Sequence, residues 1–151
     1  MGKFLNELEA SKLLSSYGIP MIKSIVCQTK EEVALEAEKL QFPLVMKVLS
    51  SDIQHKTDAG CVFLGINSID HAKEAFDNIL NNAKAYYNKA KIDGVLIQEM
   101  APKGLEVILG MKRDPQFGPL VIVGTGGIYV EVFKDTSLRL IPLSYYDAEE
   151  M

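Results

Sequence analysis

A lysine inside an apolar run is the first feature of this sequence that needs a chemical explanation. Lys47 stands in Pro-Leu-Val-Met-Lys-Val-Leu, where strand alternation aims it at a different face from Val48. An ammonium in such a strand calls for an anion or a carboxylate, because burying it unpaired is costly. The plainer alternative is a lysine whose stem packs while its head reaches water, and spacing alone favours that. The loop that follows, Ser50 to Cys61, gathers a histidine, a lysine, hydroxyls and a glycine between two strands. Loops on rigid scaffolds concentrate function. His55 could serve there as a nucleophile, since a neutral imidazole is available near pH 7 and can carry a transferable group. Composition alone fits a solvated polar loop better. His71, beside Asp70 at the start of a polar helix, reads as a surface residue.

Two further stretches could hold a ligand. In Gly94-Val-Leu-Ile-Gln-Glu-Met-Ala-Pro-Lys-Gly-Leu-Glu106 an apolar strand ends in Gln98-Glu99, turns at Pro102 and Gly104, and re-enters a strand holding Glu106. Such a crossing can offer backbone groups to a purine edge and a carboxylate to a ribose hydroxyl; a hairpin with exposed acids is the simpler reading. The run Val123-Gly-Thr-Gly-Gly-Ile128, with Glu131 downstream, lets backbone amides approach a phosphate or forms a tight hairpin. It lacks the Lys-Ser/Thr of a Walker A loop and the following helix of a dinucleotide fingerprint. Cys27 and Cys61 fall in no CxxC or Cys/His pattern, so no metal site is expected, and reduced thiols in a cytoplasmic protein are the expectation.

The elements that must position these residues follow from periodicity and punctuation. Phe4 to Tyr17 reads as a helix closed by Gly18 and Pro20, and Met21 to Val26 as a strand. Thr29 and Glu32 have the form of a capping box for a helix reaching Leu40. Phe42 to Leu49 and Cys61 to Ile66 read as strands, and Ser68 caps a long helix to Lys89 with Ala75, Phe76, Ile79, Leu80 and Ala83 on its inner stripe. Strands then follow at Val95 to Gln98, Leu105 to Arg113, Leu120 to Val123, Ile128 to Phe133 and Leu138 to Ile141, separated by Gly and Pro signals. Consecutive strands without helices imply antiparallel pairing, so the fold class is α+β. A boundary is expected near residue 90, with an α/β lobe before it and an antiparallel lobe from 91 to 151. Asp147 reads as the N-cap of a helix cut off after one turn, which cannot offset its nucleation cost and suggests a longer domain.

The bulk numbers narrow the classes. The 151 residues carry 48% hydrophobic and 24% charged residues, as an ordinary globular domain does. The formal charge is -4 with no basic stripe, which argues against nucleic acid as the partner. The acidic, helix-like N-terminus is unlike a secretory signal, Asn6 stands where myristoylation wants Ser or Thr, and no apolar run reaches bilayer length.

Taken together, FPLVMKVLSSDIQHKTDAG, GVLIQEMAPKGLEVILGMKRDPQFGPLVIVGTGGIYVEVFKD and RLIPLS resemble, in order and spacing, the ATP-grasp domain of nucleoside-diphosphate-forming acyl-CoA synthetases. The ADP-forming acetyl-CoA synthetase β subunit is of this type, and succinyl-CoA synthetase β is more distant. The resemblance covers essentially the whole chain. It implies the N-terminal lobe and part of the second, antiparallel lobe of an ATP-grasp fold, truncated. Lys47 would contact the ATP phosphates, Glu99 with the backbone at Met100 and Ala101 would hold the adenine edge, and Glu106 would take the ribose hydroxyls. His55 matches the histidine that receives a phosphoryl group from a partner's phosphohistidine and passes it to ADP. The implied reaction is acid + CoA + ATP giving acyl-CoA + ADP + phosphate. The implied partner is a CoA-binding or ligase subunit or domain carrying a second phosphohistidine, and neither nucleic acid nor membrane.

Two departures stand out. Family members usually show Gly-Gly after the Asp-Ala or Asp-Val of the histidine loop, and here Cys61 takes the second place, where a side chain could narrow the approach to phosphate. The residues that hold Mg²⁺ in the family, and much of the second lobe, are expected beyond residue 151; the chain alone is then expected to bind ATP or ADP poorly and to be inactive. A degenerate binding or regulatory module fused to a protein acetyltransferase is the alternative these departures motivate, and a carbon-nitrogen ligase is a weaker third, against which the histidine loop argues.

Overall fold

The computed structural model describes residues 5–127 and 136–151. Its elements are α1 (Glu7–Ser16), β1 (Ser24–Cys27), α2 (Lys30–Ala37), β2 (Leu44–Leu49), β3 (Val62–Ile66), α3 (Ile69–Tyr86), β4 (Gly94–Glu99), β5 (Val107–Asp114), β6 (Gly118–Thr125), β7 (Thr136–Leu140) and α4 (Tyr145–Glu150). They form two units, Met1–Ala101 and Pro102–Met151. The first holds a four-stranded sheet in the order β1-β4-β2-β3, the second a meander β5-β6-β7, and every strand pair is antiparallel. The mixed α+β class is as expected. The division falls after Ala101 rather than near 90, because β4 pairs with both β1 and β2 and so lies inside the first sheet. The helices of that unit accompany a wholly antiparallel sheet, which parallel α/β pairing would not give.

Local chemistry sets the helix starts. Asn6 and Glu9 form a reciprocal capping box that begins α1 three residues later than periodicity suggested. At α2 only half of the expected box forms: the Thr29 hydroxyl accepts from the Glu32 N–H, while the Glu32 carboxylate accepts from the Gln28 N–H at 2.6 Å. Ser68 caps α3 as expected. Asp147 is not the N-cap of α4. Ser144 is, and Asp147 is its partner in a capping box. The serine hydroxyl three residues upstream reaches the orphan N–H first, so the carboxylate turns back to the cap's own N–H.

The core lies between the first sheet and α2 with α3. Ala72, Ala75, Phe76, Ile79 and Ala83 run down the inner stripe of α3 and meet Leu44, Met46 and Val48 of β2 and Val95 and Ile97 of β4. Each large side chain buried there contributes about 1.5–3 kcal/mol. The β2–β3 ladder carries an irregularity: Leu44 pairs with Ile66 but Met46 with Phe63. Gly65, with φ +67°, supplies the left-handed residue of this bulge. Phe63 and Ile66, three apart, thereby both turn to the helices. Because side chains alternate, Lys47 and its cross-strand neighbours Leu96 and Val62 belong to the opposite face. The expected strand at 128–133, Glu131 included, lies outside the described residues.

Candidate functional site

Lys47 is held on the face of the sheet opposite α2 and α3 by its place in β2, and the loop after β2 brings His55 to it. This loop is anchored at both ends. The Ser50 hydroxyl donates to the Lys91 carbonyl at 2.7 Å and accepts from the Asp52 N–H, while the Asp52 carboxylate accepts from the Lys91 N–H at 2.7 Å. Ile53 is fully buried and pins the loop to the core. His55 to Gly60 then winds through tight turns, with the Ala59 N–H on the His55 carbonyl and the Cys61 N–H on the Lys56 carbonyl. Gly60 adopts φ +63°, its carbonyl accepts from the Asn82 amide at 2.7 Å, and the Val48 N–H closes on the Cys61 carbonyl. His55 is thus an exposed imidazole on an ordered loop.

Lys47, His55, Lys56, Thr57, Asp58 and Val62 line an open cleft of about 440 Å³. The structure therefore brings together the ammonium and the imidazole that sequence reading singled out separately, and adds Lys56. It also adds Glu7 from the start of α1. The Lys47 ammonium donates to Glu7 Oε1 at 2.7 Å, and Lys56 Nζ stands 3.8 Å from Oε2. Lys47 and Glu7 both stay partly exposed, 23% and 33%, so the pair contributes at most about 1 kcal/mol to stability. Its significance is positional. Nothing in the sequence near Glu7 signalled this role, since 40 residues separate it from Lys47.

Glu99 does not join this cleft. It pairs across from Leu44, so its side chain takes the helix face, where its carboxylate accepts from the Gln41 N–H at 2.9 Å. The Met100 N–H donates to the Pro43 carbonyl at 3.0 Å and is thereby committed within the first unit. In the second unit Glu106 is exposed, and the Gly-rich turn is built against it. The Gly126 N–H donates to the Glu106 carbonyl at 2.7 Å, and a Cβ at Gly126 would come within 2.9 Å of the Glu106 carbonyl carbon. At Gly127, φ +71°, a Cβ would stand 3.1 Å from a Glu106 carboxylate oxygen. The Gly-rich turn and Glu106, read apart in the sequence, form one local arrangement.

Cys61 is placed differently from what the sequence suggested. Its side chain is fully buried in the core, with the thiol donating to the Ala59 carbonyl at 3.3 Å and the Ile79 carbonyl at 3.7 Å. It points away from the cleft that its neighbour Val62 lines, and so does not narrow it. Burial raises the pKa of the Cys61 thiol, and burial together with the nearby Glu32 and Glu36 carboxylates, against a smaller lowering by Lys39, pushes that of Cys27 up to about 11. Both cysteines are free thiols. Among the described residues no three His, Cys, Asp or Glu side chains gather as a metal-binding set, and no helix is long and apolar enough to cross a membrane.

A two-unit α+β fold with a lysine-histidine cleft beside its first sheet fits a nucleotide-dependent phosphoryl-transfer domain, and residues 1–151 match the family described as the ATP-grasp domain. The chain belongs to that family. It is 46% identical over 147 residues to the acetate–CoA ligase [ADP-forming] I subunit beta of Pyrococcus furiosus, covering 97% of this chain and 63% of that protein. Among solved structures, the Ca. Korarchaeum cryptofilum dinucleotide forming acetyl-coenzyme A synthetase 1, in complex with coenzyme A, Ca-AMPCP and HgCl+, superposes with a TM-score of 0.93 at 43% identity, over 97% of this chain and 64% of that one. The same synthetase with coenzyme A and Mg-AMPPCP, its phosphohistidine segment pointing towards the nucleotide binding site, gives 0.78 at 39% identity, over 98% and 62%. The chain thus spans less than two thirds of these relatives' length.

Proposed function

We propose that this chain is the ATP-grasp portion of an ADP-forming acyl-CoA synthetase, which converts acid, CoA and ATP to acyl-CoA, ADP and phosphate, with His55 as its phosphoryl carrier. The observation that carries this reading is the meeting of His55, Lys47 and Lys56 at one cleft in a chain 46% identical to an ADP-forming acetate–CoA ligase β subunit. In the ATP-forming direction a partner subunit or domain delivers a phosphoryl group from its own phosphohistidine. A His55 ring nitrogen attacks phosphorus, a new P–N bond forms as the donor's P–N bond breaks, and the donor imidazole keeps the electron pair. A terminal phosphate oxygen of ADP then attacks that phosphorus, and a P–O bond forms as the His55 P–N bond breaks and the imidazole regains its electron pair. Lys47 and Lys56 stabilise the charge on the transferred oxygens.

In this reading the Met100 carbonyl and Ala101 N–H hold the adenine edge, Glu99 braces that segment, and Glu106 takes the ribose hydroxyls. Mg²⁺, when bound, neutralises phosphate charge; the relative solved with Mg-AMPPCP supports its use as a cofactor alongside ATP or ADP. Free, buried cysteines agree with a cytoplasmic setting. The fused-acetyltransferase alternative loses one of its two motives, because Cys61 lies in the core rather than at the cleft.

The test uses the full-length protein with its CoA-binding partner. Wild type incorporates acid-labile phosphate at His55 and forms ATP from acyl-CoA, ADP and phosphate; His55→Ala loses both. ATP formation by His55→Ala at the wild-type rate ends the assignment.

A further inference from the structure

The geometry points to Glu7 as a positioning residue for the two phosphate-facing ammonium groups. This inference rests on reading the cleft as a nucleotide phosphate site and adds a residue to it. One carboxylate spans both lysines, with Oε1 2.7 Å from Lys47 Nζ and Oε2 3.8 Å from Lys56 Nζ. The two ammonium groups come from different places, Lys47 from a central strand and Lys56 from the loop position next to His55. Like charges brought to one cleft repel, and a lysine stem has many rotamers, so neither ammonium would hold a fixed place unaided. The carboxylate between them offsets the repulsion and selects one rotamer of each. An ammonium has three N–H donors, so a lysine held by Glu7 keeps others for a phosphate.

Glu7 is itself well placed to do this. It is the first residue of α1, directly after the Asn6 cap, whose capping box with Glu9 fixes where the helix begins. The residues from Glu7 to Ser11 are half-buried and none is fully buried, and the Glu7–Lys47 pair ties the start of the helix to β2. The pair is part-buried and contributes only modestly to folding, so its larger physical consequence is orientation.

Simple electrostatics and positioning predict opposite signs. Removing a negative charge beside a phosphate site should tighten phosphate binding; removing a positioning group should weaken it. The measurement is calorimetric titration of the full-length protein with ADP and, separately, with adenosine. Glu7→Gln is expected to weaken ADP binding about fivefold while adenosine affinity and the melting temperature stay at wild-type values, and Glu7→Asp is expected to recover part of the loss. ADP binding by Glu7→Gln as tight as wild type or tighter overturns the inference, and so does an equal loss for ADP and adenosine. Lys47→Met separates the two levels: if it loses ADP affinity while Glu7→Gln does not, only the role of Glu7 is wrong. If wild type shows no phosphate-dependent affinity, or Lys47→Met binds ADP as tightly as wild type, the nucleotide reading falls and the inference falls with it.

Discussion

Lys47 and Glu99 sit on hydrogen-bonded neighbouring strands, yet their side chains leave opposite faces of the sheet. Lys47 pairs with Leu96 and faces the cleft, whereas Glu99 pairs with Leu44 and reaches the Gln41 N–H beyond α2. An odd offset of three residues along β4 imposes this on any regular ladder. The two residues can still serve one nucleotide, but not by converging side chains.

Substitutions at the two positions should therefore separate binding from folding. Lys47→Met is expected to weaken ADP binding about tenfold with a smaller effect on the melting temperature, since its ion pair with Glu7 remains partly exposed. Glu99→Ala is expected to cost at most about 1 kcal/mol of stability, since the exposed Gln41 N–H it leaves can turn to water. Its effect on ADP should be smaller than that of Lys47→Met. Titration calorimetry and denaturant unfolding on the same variants check both, and the reverse ranking would contradict the sheet geometry.

Restoring glycine at position 61 should not help phosphate binding. The Cys61 side chain fills core space against α3, so Cys61→Gly removes buried volume and adds backbone freedom to the unfolded chain. The expected outcome is a loss of about 1–3 kcal/mol with ADP affinity unchanged. A gain in affinity would show that the side chain restricts the cleft after all.

Cys27 should make the protein alkali-sensitive. Its thiol ionises near 9.0 when solvated and at about 11 when folded, with burial the largest cause. Between those values the unfolded chain gives up a proton that the folded chain retains, so stability falls as pH rises from about 9 to 11. The denaturant midpoint of wild type should drop across that window relative to Cys27→Ala. Equal slopes for the two proteins would remove Cys27 as the cause. A soluble thiol reagent should modify Cys27 and Cys61 at pH 8 only upon unfolding.

Gly126→Ala should destabilise the second unit specifically. The added methyl would meet the Glu106 carbonyl carbon at 2.9 Å and the Val107 nitrogen at 3.0 Å, which are backbone atoms that cannot swing aside. A loss of about 1–3 kcal/mol is expected. Amide exchange should accelerate in β5 and β6 and stay unchanged in β2 and β4. Uniform acceleration throughout, or none, would argue against this packing.

Much of the first unit was legible in the sequence because its signals are local. The Ser68 cap and the 3.6-residue stripe of α3 depend on residues within a few turns of one another, and the apolar run at 44–49 is a strand by composition alone. Ends were harder. Both Ser144 and Asp147 are good caps, and only the backbone path decides which one accepts the orphan N–H. The unit boundary moved to Ala101 because strand pairing, absent from the local pattern, recruits β4 into the first sheet.

By itself the sequence determined the α+β class, the family resemblance, and Lys47 and His55 as residues worth a chemical explanation. These follow from residue type, order and short-range spacing. Only the tertiary structure decided that the Cys61 side chain belongs to the core, that Glu99 turns from the cleft, and that Glu7 joins two lysines across it. Those outcomes depend on strand register and on contacts between residues far apart in the chain. Register decides which face a side chain takes, and a single-residue slip would reverse it.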